Sequence, residues 1–286
     1  MYSLFSLADR KNWNFTVCGL SGWPWYYAIH FLLDLVVNIC IAYKCQVPDA
    51  DEGQLHARTG LPLVSLLEIS KIQSDGYLYF SDGILKLQLL SLPGMTPLFV
   101  SFEGLERRAK DSLFQQSLIK AVGIGKGKRP SILDGTGGLG SDGFLMASTG
   151  CKVSLFERDK VIYELLKDGL RRYAAKDSNG KEVSKRIQIE NRDFLESKTL
   201  TNRYEVVYLD PMFPMSKKRS RSKRPMLYLQ EFLQAENNGD QMLSVAKRIA
   251  TKRIVVKRGI RSPTLTNHDV DIVYRGNSNR FDIYLI

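Results

Sequence analysis

Asp210-Pro211-Met212-Phe213-Pro214 follows directly on the apolar run Val206-Val207-Tyr208-Leu209. A carboxylate at a strand end, then proline, a bulky pair and a second proline, makes a stiff loop with one acceptor and one aromatic. Each proline holds φ near about −65° and restricts the residue before it, so the loop's shape is set in advance. Such a loop suits gripping a flat, amine-bearing ring. Asp210 or the Pro211 carbonyl would accept the amine's hydrogens, and Phe213 would lie against the ring face. Asp-Pro is also a common turn former, so the segment taken alone serves equally to end a strand.

A second constellation lies upstream. Asp134-Gly135-Thr136-Gly137-Gly138-Leu139-Gly140 joins a short strand to a helix, and its glycines let the backbone turn sharply and approach a ligand closely. Glu157 ends the next strand 17 residues beyond Gly140, placed to accept hydrogen bonds from a ribose diol. Gly135-x-Gly137-x-x-Gly140 with that acid also satisfies the dinucleotide fingerprint, which leaves a nicotinamide-dependent oxidoreductase open. Asp134, just before the loop, would repel a pyrophosphate and suits a cationic aminoacyl ligand; its other use is to cap the turn. Asp193, before Phe194-Leu195, reads either as a rim acid or as a helix N-cap. In an open parallel sheet the carboxyl ends of the strands form the ligand crevice, which would gather Asp134, Glu157, Asp193 and Asp210 on one rim. S-adenosylmethionine, with a sulfonium, an amino group and a ribose diol, is a ligand that such a rim suits.

The elements that must position these residues alternate. Ser131-Ile132-Leu133 is a strand, Asp142 to Ser148 a helix, Lys152 to Phe156 a strand, Lys160 to Tyr173 a helix, and Ile187 to Ile189 and Glu205 to Leu209 further strands. This order predicts an α/β fold, a mainly parallel sheet with helices on both faces. Arg253 to Lys257 and Phe281 to Leu285 supply later strands, including an antiparallel edge pair. Glu103 to Val122 has helical spacing, closed by Gly123-Ile124-Gly125. From about Ile39 to Val100, short apolar runs alternate with turn signals such as Ser81-Asp82-Gly83, which reads as a small strand-rich unit. The division is thus an atypical extension over 1–36, a small N-terminal domain over 37–102 and the main domain over 103–286. Trp23 to Tyr43 is long enough to span a bilayer, but His30, Asp34 and Asn38 fall inside it, and an acid at mid-span is costly. No stable membrane association is expected; an upstream start better explains the extension.

The chain has 286 residues and a net charge of +11. Between Met215 and Arg261 there are 13 Lys/Arg against three acids, a net of +10, so nearly all the excess sits in one stretch just after the Asp-Pro loop. Such a concentration is an electrostatic footprint for nucleic acid. Its candidate phosphate contacts are Lys217, Lys218, Arg219, Arg221, Lys223 and Arg224, followed by Lys252, Arg253, Lys257 and Arg258. Four cysteines without a Cys-x-x-Cys pair, and three histidines, give no zinc spacing and suit a reducing cytoplasm; no metal is expected.

On these segments the chain resembles the RsmJ family of bacterial small-subunit (16S) rRNA methyltransferases, which act on guanine N2. The segments are Leu133 to Gly140, Phe156-Glu157-Arg158, Val206 to Pro214, Ala250 to Arg258 and Arg280 to Tyr284, in the family's order, over roughly Arg107 to the C-terminus. The Asp-Pro-Met-Phe-Pro and Thr-Lys-Arg-x-Val-Val-Lys-Arg strings are the specific ones. The resemblance implies a class I methyltransferase fold using S-adenosylmethionine. It places the cofactor at Ser141 and Asp142, at Glu157 and Arg158, around Asp193 and Phe194, and at Asp210, beside Asp134 and the glycine loop (Gly135, Gly137, Gly140) already read as ligand-facing. Asp210, Pro211 and Phe213 become the catalytic group, and 16S rRNA or the assembled small subunit the partner. Ser141 departs from the arginine usual there, and Arg107-Arg108 lacks the usual glycine-rich sequel. A DNA amino-methyltransferase would share the Asp-Pro chemistry, and a non-catalytic RNA-binding protein would share the basic block.

Overall fold

Asp82-Gly83 between two alternating runs signals a two-residue hairpin. The computed structural model describes residues 38–91, 94–125, 127–200, 204–211, 238–266 and 268–286, and in it both turn residues have positive φ, 57° and 70°. That geometry matches the right-handed twist of paired strands. The hairpin belongs to a four-stranded sheet of β1 (Ile39–Tyr43), β2 (Leu63–Ser65), β3 (Gly76–Ser81) and β4 (Ile84–Leu89), ordered β2-β1-β3-β4. β1 runs parallel to both its neighbours, and a parallel pair needs a crossover. The crossover is a helix, α1 (Ala50–Thr59), which the strand-rich reading of this region passed over. Its signal was present: Asp49 and Glu52 form a reciprocal capping box, each bond 2.9 Å. Of the apolar segment from Trp23 to Tyr43, only 38–43 are described, and Ile39–Tyr43 is the buried strand β1. Among the described residues, no helix is long and apolar enough to cross a membrane, and no cluster of His, Cys, Asp and Glu could hold a metal.

The helix expected from Glu103 to Val122 is broken into α2 (Glu103–Ser112), a 3-10 turn (Leu113–Gln115) and α3 (Ser117–Ala121). Continuing the helix inward from Leu113 would bury Gln116 and Ser117. The extended residue Gln116 (ψ 137°) resets the phase and sends Leu118 and Ile119 into the core instead.

The later strands are β5 (Ile132–Asp134), β6 (Val153–Glu157), β7 (Ile187–Asn191), β8 (Tyr204–Leu209), β9 (Ala250–Gly259), β10 (Ile272–Arg275) and β11 (Asn279–Leu285). They form one seven-stranded sheet, ordered β10-β11-β9-β8-β5-β6-β7. The β5–β9 ladders are all parallel, and β11 is antiparallel to both β9 and β10. Strand order reverses at β5, so the crevice opens where β5 and β8 end side by side. Helices α4 (Ser141–Ser148), α5 (Lys160–Lys176), α6 (Ser178–Ser184) and α7 (Gly239–Ile249) complete the layers. Leu133, Val207, Leu209, Ile254 and Val256 pack with Leu243, Ala246 and Ile249 of α7 on one face. Neighbouring strand positions point the other way, toward α4. There Phe144 stacks on Phe102 at 4.7 Å and meets Tyr173 of α5 edge-on at 5.0 Å.

α5 also holds the smaller sheet. Asp159 caps it, accepting from the amides of Val161 and Ile162. Its buried Asp168 accepts from the Leu85 amide of β4 at 3.2 Å and pairs with Arg171 and Arg172. Arg172 in turn donates to the Val100 carbonyl at 2.6 Å. Asp168→Ala would strand a buried amide and a half-buried guanidinium together. A loss of about 3 kcal/mol in urea unfolding is expected; a change within about 0.5 kcal/mol would show that the cluster does not secure the sheet.

Candidate active site

The glycine loop is fastened at both ends before any ligand is considered. Asp134, 1% exposed, accepts from the Thr136 amide (3.0 Å) and hydroxyl (3.2 Å), and the Gly135 amide donates to the Tyr208 carbonyl at 3.0 Å. Burial pushes the Asp134 carboxyl up to about 8, against the hydrogen bonds from Thr136 and with the help of Asp142 and Asp210. At neutral pH it is mostly protonated. Gly140 sits at φ 76°, a left-handed conformation that starts α4, and a side chain there would strike Leu166. A side chain at Gly135 would come within 2.5 Å of the Phe194 ring.

Glu157, 5% exposed, braces the loop from β6. Its Oε2 accepts from the Gly138 amide and its Oε1 from the Asp159 amide, both at 2.8 Å. Burial raises its carboxyl to about 7, with those two amides opposing. Arg158 is exposed beside it. Asp193 is an N-cap, its Oδ1 accepting from the Leu195 amide at 2.8 Å. Phe194, expected to line the cofactor, instead turns its ring into the core at 3% exposure, filling the space that Gly135 leaves.

At the end of β8 the expected acid finds partners that the sequence reading did not assign. Register pairs Asp134 with Tyr208 and Tyr208 with Val255, so Tyr208, Asp210 and Lys257 lie on one face of the sheet. Lys257 Nζ donates to Asp142 Oδ2 at 2.7 Å and to Asp210 Oδ2 at 2.9 Å, while the Tyr208 hydroxyl donates to Asp142 Oδ2 at 2.6 Å. The Asp210 amide donates to Thr136 Oγ1 at 2.7 Å, which ties the Asp-Pro loop to the glycine loop. Desolvation in this corner pushes the half-buried Asp210 carboxyl up, Lys257 pulls it down, and Asp142 adds to the rise. Burial disfavours the Lys257 charge, but Asp210 and Asp142 outweigh it and hold the ammonium protonated well above the usual lysine range. Pro211 is half-buried next to Asp210, and Ser141 is exposed at the start of α4. Phe213 and the run Lys217 to Arg224 lie outside the described residues.

Lys252, Arg253, Lys257 and Arg258 do not form one phosphate-binding strip. Lys252 pairs with Glu205, and Arg253 donates to the Ala121 carbonyl at 3.1 Å, both near the amino end of β9. Five residues of strand, about 16 Å, separate Lys252 from Lys257. Lys257 is turned into the acidic corner, and Arg258 is 3% exposed and donates to the Pro263 carbonyl. Alternation along a strand covered on both faces sends adjacent residues into opposite packed layers.

A chain that places acids, glycine turns and an Asp-Pro pair on one rim has known relatives. The chain matches the family described as putative SAM-dependent methyltransferase over residues 63–286. A ribosomal RNA small subunit methyltransferase J from Coxiella burnetii (strain Dugway 5J108-111) is 34% identical over 252 residues, 87% of this chain and 97% of that one. Its namesake from Edwardsiella ictaluri (strain 93-146) is 39% identical over 244 residues, covering 81% and 97%. The chain belongs to the methyltransferase J family. A crystal structure of a SAM-dependent methyltransferase from Neisseria gonorrhoeae shares the fold, with a TM-score of 0.66 at 25% identity over 86% of this chain and 95% of that one.

Membership makes this methyltransferase J relative a SAM-dependent enzyme of class I fold and sets aside the oxidoreductase that the glycine loop alone left open. The residues present fit such a cofactor. Acceptors that suit a diol and a cation stand at the carboxyl ends of β6 and β8, and the backbone at Gly138 has nothing but the Thr136 carbonyl within 4 Å of its side-chain position. Thr136 was missed in sequence because a threonine inside a glycine loop reads as filler. Tyr208 was missed, and Lys257 was taken for a phosphate contact, because their roles come from register across strands.

Two outcomes follow from this geometry. Thr136→Val leaves the Asp210 amide unpaired and is expected to lower the methyl-transfer rate roughly 10- to 100-fold. Thr136→Ser should keep most of it, and equal losses in both variants would refute the tether. The raised acids set a pH trend: their contribution to folding is complete below about pH 4, then lost as pH climbs through about 7 for Glu157 and about 8 for Asp134. Asp134→Asn, which keeps an acceptor for Thr136, is therefore expected to flatten the fall in urea midpoint between pH 5 and pH 9. A variant with the wild-type slope would show that Asp134 ionises freely in the folded chain.

Proposed function

We propose that this enzyme transfers the methyl group of S-adenosylmethionine to the exocyclic N2 amine of a guanosine in 16S rRNA of the small ribosomal subunit. The observation that carries the reading is the Asp210-Pro211 pair at the end of β8, its Asp210 tied by Thr136 to the glycine loop and by Lys257 to the helix that follows it. The relatives named ribosomal RNA small subunit methyltransferase J support the substrate class. That substrate also carries a cytoplasmic location with it.

An exocyclic guanine amine is a poor nucleophile, because its lone pair is delocalised into the ring. The bound cofactor supplies a methyl group on a positively charged sulfur. The chain's own part is to hold the amine in line, and positioning of this kind contributes on the order of 7–11 kcal/mol in the best intramolecular cases. Asp210 Oδ1, the oxygen that Lys257 leaves uncovered, and the Pro211 carbonyl accept the two amine hydrogens. The nitrogen then keeps its lone pair directed at the methyl. Phe213 is assigned to the base face, which requires a target base that is unstacked or already single-stranded. The surplus proton leaves after transfer, to the Asp210 carboxylate or to water, so no strong general base is needed.

Labelled methyl transfer to undermodified small subunits, read by nucleoside mass spectrometry, is expected to yield N2-methylguanosine. No such product above background would sink the reading. Asp210→Asn keeps the shape but not the charge and is expected to lower kcat by roughly 100-fold with RNA affinity unchanged. An active Asp210→Asn enzyme would remove this residue from the chemistry.

A further inference from the structure

We infer that Lys257 is a positioning residue for methyl transfer, its ammonium tying Asp142 on α4 to Asp210 so that the amine-gripping carboxylate stays in place across from the cofactor loop. The inference rests on the reading of Asp210 as the amine grip. One Nζ bonds both carboxylates, at 2.7 and 2.9 Å, on a side chain 21% exposed. Lys257 is therefore spent inside the site and is not a phosphate contact. Its two partners come from different elements, Asp142 from the helix behind the glycine loop and Asp210 from the end of β8, so the bond spans the cofactor half and the substrate half of the crevice.

The ionisable groups around this corner are Asp134 from β5, Asp142 from α4, Tyr208 and Asp210 from β8, and Arg258 next to Lys257 on β9; Asp134 is mostly protonated and Tyr208 neutral, so the charges at play are those of Asp142, Asp210, Lys257 and Arg258. Two carboxylates bonded to one ammonium leave a net charge of −1. Without the ammonium they face each other as like charges, and such a pair takes up a proton at a higher pH than either acid alone. An Asp210 that has taken up a proton loses its pull on the amine hydrogens. Tyr208 cannot replace the lysine: its hydroxyl already donates to Asp142, and burial followed by the field of Asp142 keeps it from ionising.

The test compares wild type, K257M, K257R and D142N, reading kcat against pH on undermodified small subunits and S-adenosylmethionine affinity against pH by calorimetry. K257M is expected to move the acid limb of kcat up by about one to two pH units, whereas K257R, which keeps the charge, leaves it in place. D142N removes a like charge and is expected to move the limb down. A loss in K257M that is the same at every pH, or an equal shift in K257R, would overturn the inference. Where K257M does not fold, as judged by thermal melting, D142N decides, and a limb that stays put or rises would overturn it. If the wild type transfers no methyl to subunits, the proposed substrate fails. Cofactor affinity then decides for the lysine: a K257M affinity that falls selectively at low pH upholds its role, and a pH-independent affinity rejects it.

Discussion

The arrangement of the rim depends on the register of β8 between its parallel neighbours β5 and β9. With Asp134 beside Tyr208 and Tyr208 beside Val255, every second residue at these strand ends faces α4. A slip of one residue would exchange this set for Leu133, Val207, Leu209 and Val256, which belong to the core under α7. Burying that apolar set is what fixes the register, so the same packing that stabilises the sheet decides which side chains reach the crevice. Stability and site geometry are here one constraint rather than two.

The loops above the strands are held by a second device, hydrogen bonds that backbone amides donate to polar side chains. Thr136 takes the Asp210 amide, Glu157 takes the Gly138 and Asp159 amides, and Asp193 takes the Leu195 amide. None of these amides lies within a strand ladder or a complete helix, so each would otherwise need water. The glycine loop can be so tightly held because the Phe194 ring fills the space where Gly135 has no side chain. A residue expected to touch the ligand thereby acts one layer behind it, through the backbone it supports.

Much of the fold was legible in the sequence. Strand-helix alternation from Ser131 onward gave the parallel core, and the late strands at Arg253 to Lys257 and Phe281 to Leu285 gave its antiparallel edge. The acids at strand ends were legible for the same reason, since a strand's last residue sits at the rim whatever its partners. Three things escaped the sequence reading. The capping box at Asp49 and Glu52 was readable, but it was hidden among turn-rich strands. The break at Gln116 arose from which residues had to be buried, a tertiary demand that local spacing does not express. The inward turn of Lys257 needed knowledge of which strand lies beside β8, and a basic pair in a basic stretch reads as surface until that neighbour is known.

That last point bears on how one chain can attract a polyanion and still build an acidic site. The net charge of +11 acts over distances comparable to the Debye length, about 8–10 Å at ordinary salt. Within the crevice the nearest charges dominate, and there two carboxylates outnumber one ammonium. A phosphate is therefore drawn to the molecule yet repelled from the corner proposed to hold the amine, while a sulfonium is favoured in that corner. Placing Lys252 and Arg253 near the amino end of β9 and turning Lys257 inward keeps the two fields apart. Had all four basic residues of that strand faced the rim, the backbone of a nucleic acid would compete with its own base for the acids proposed to grip the amine.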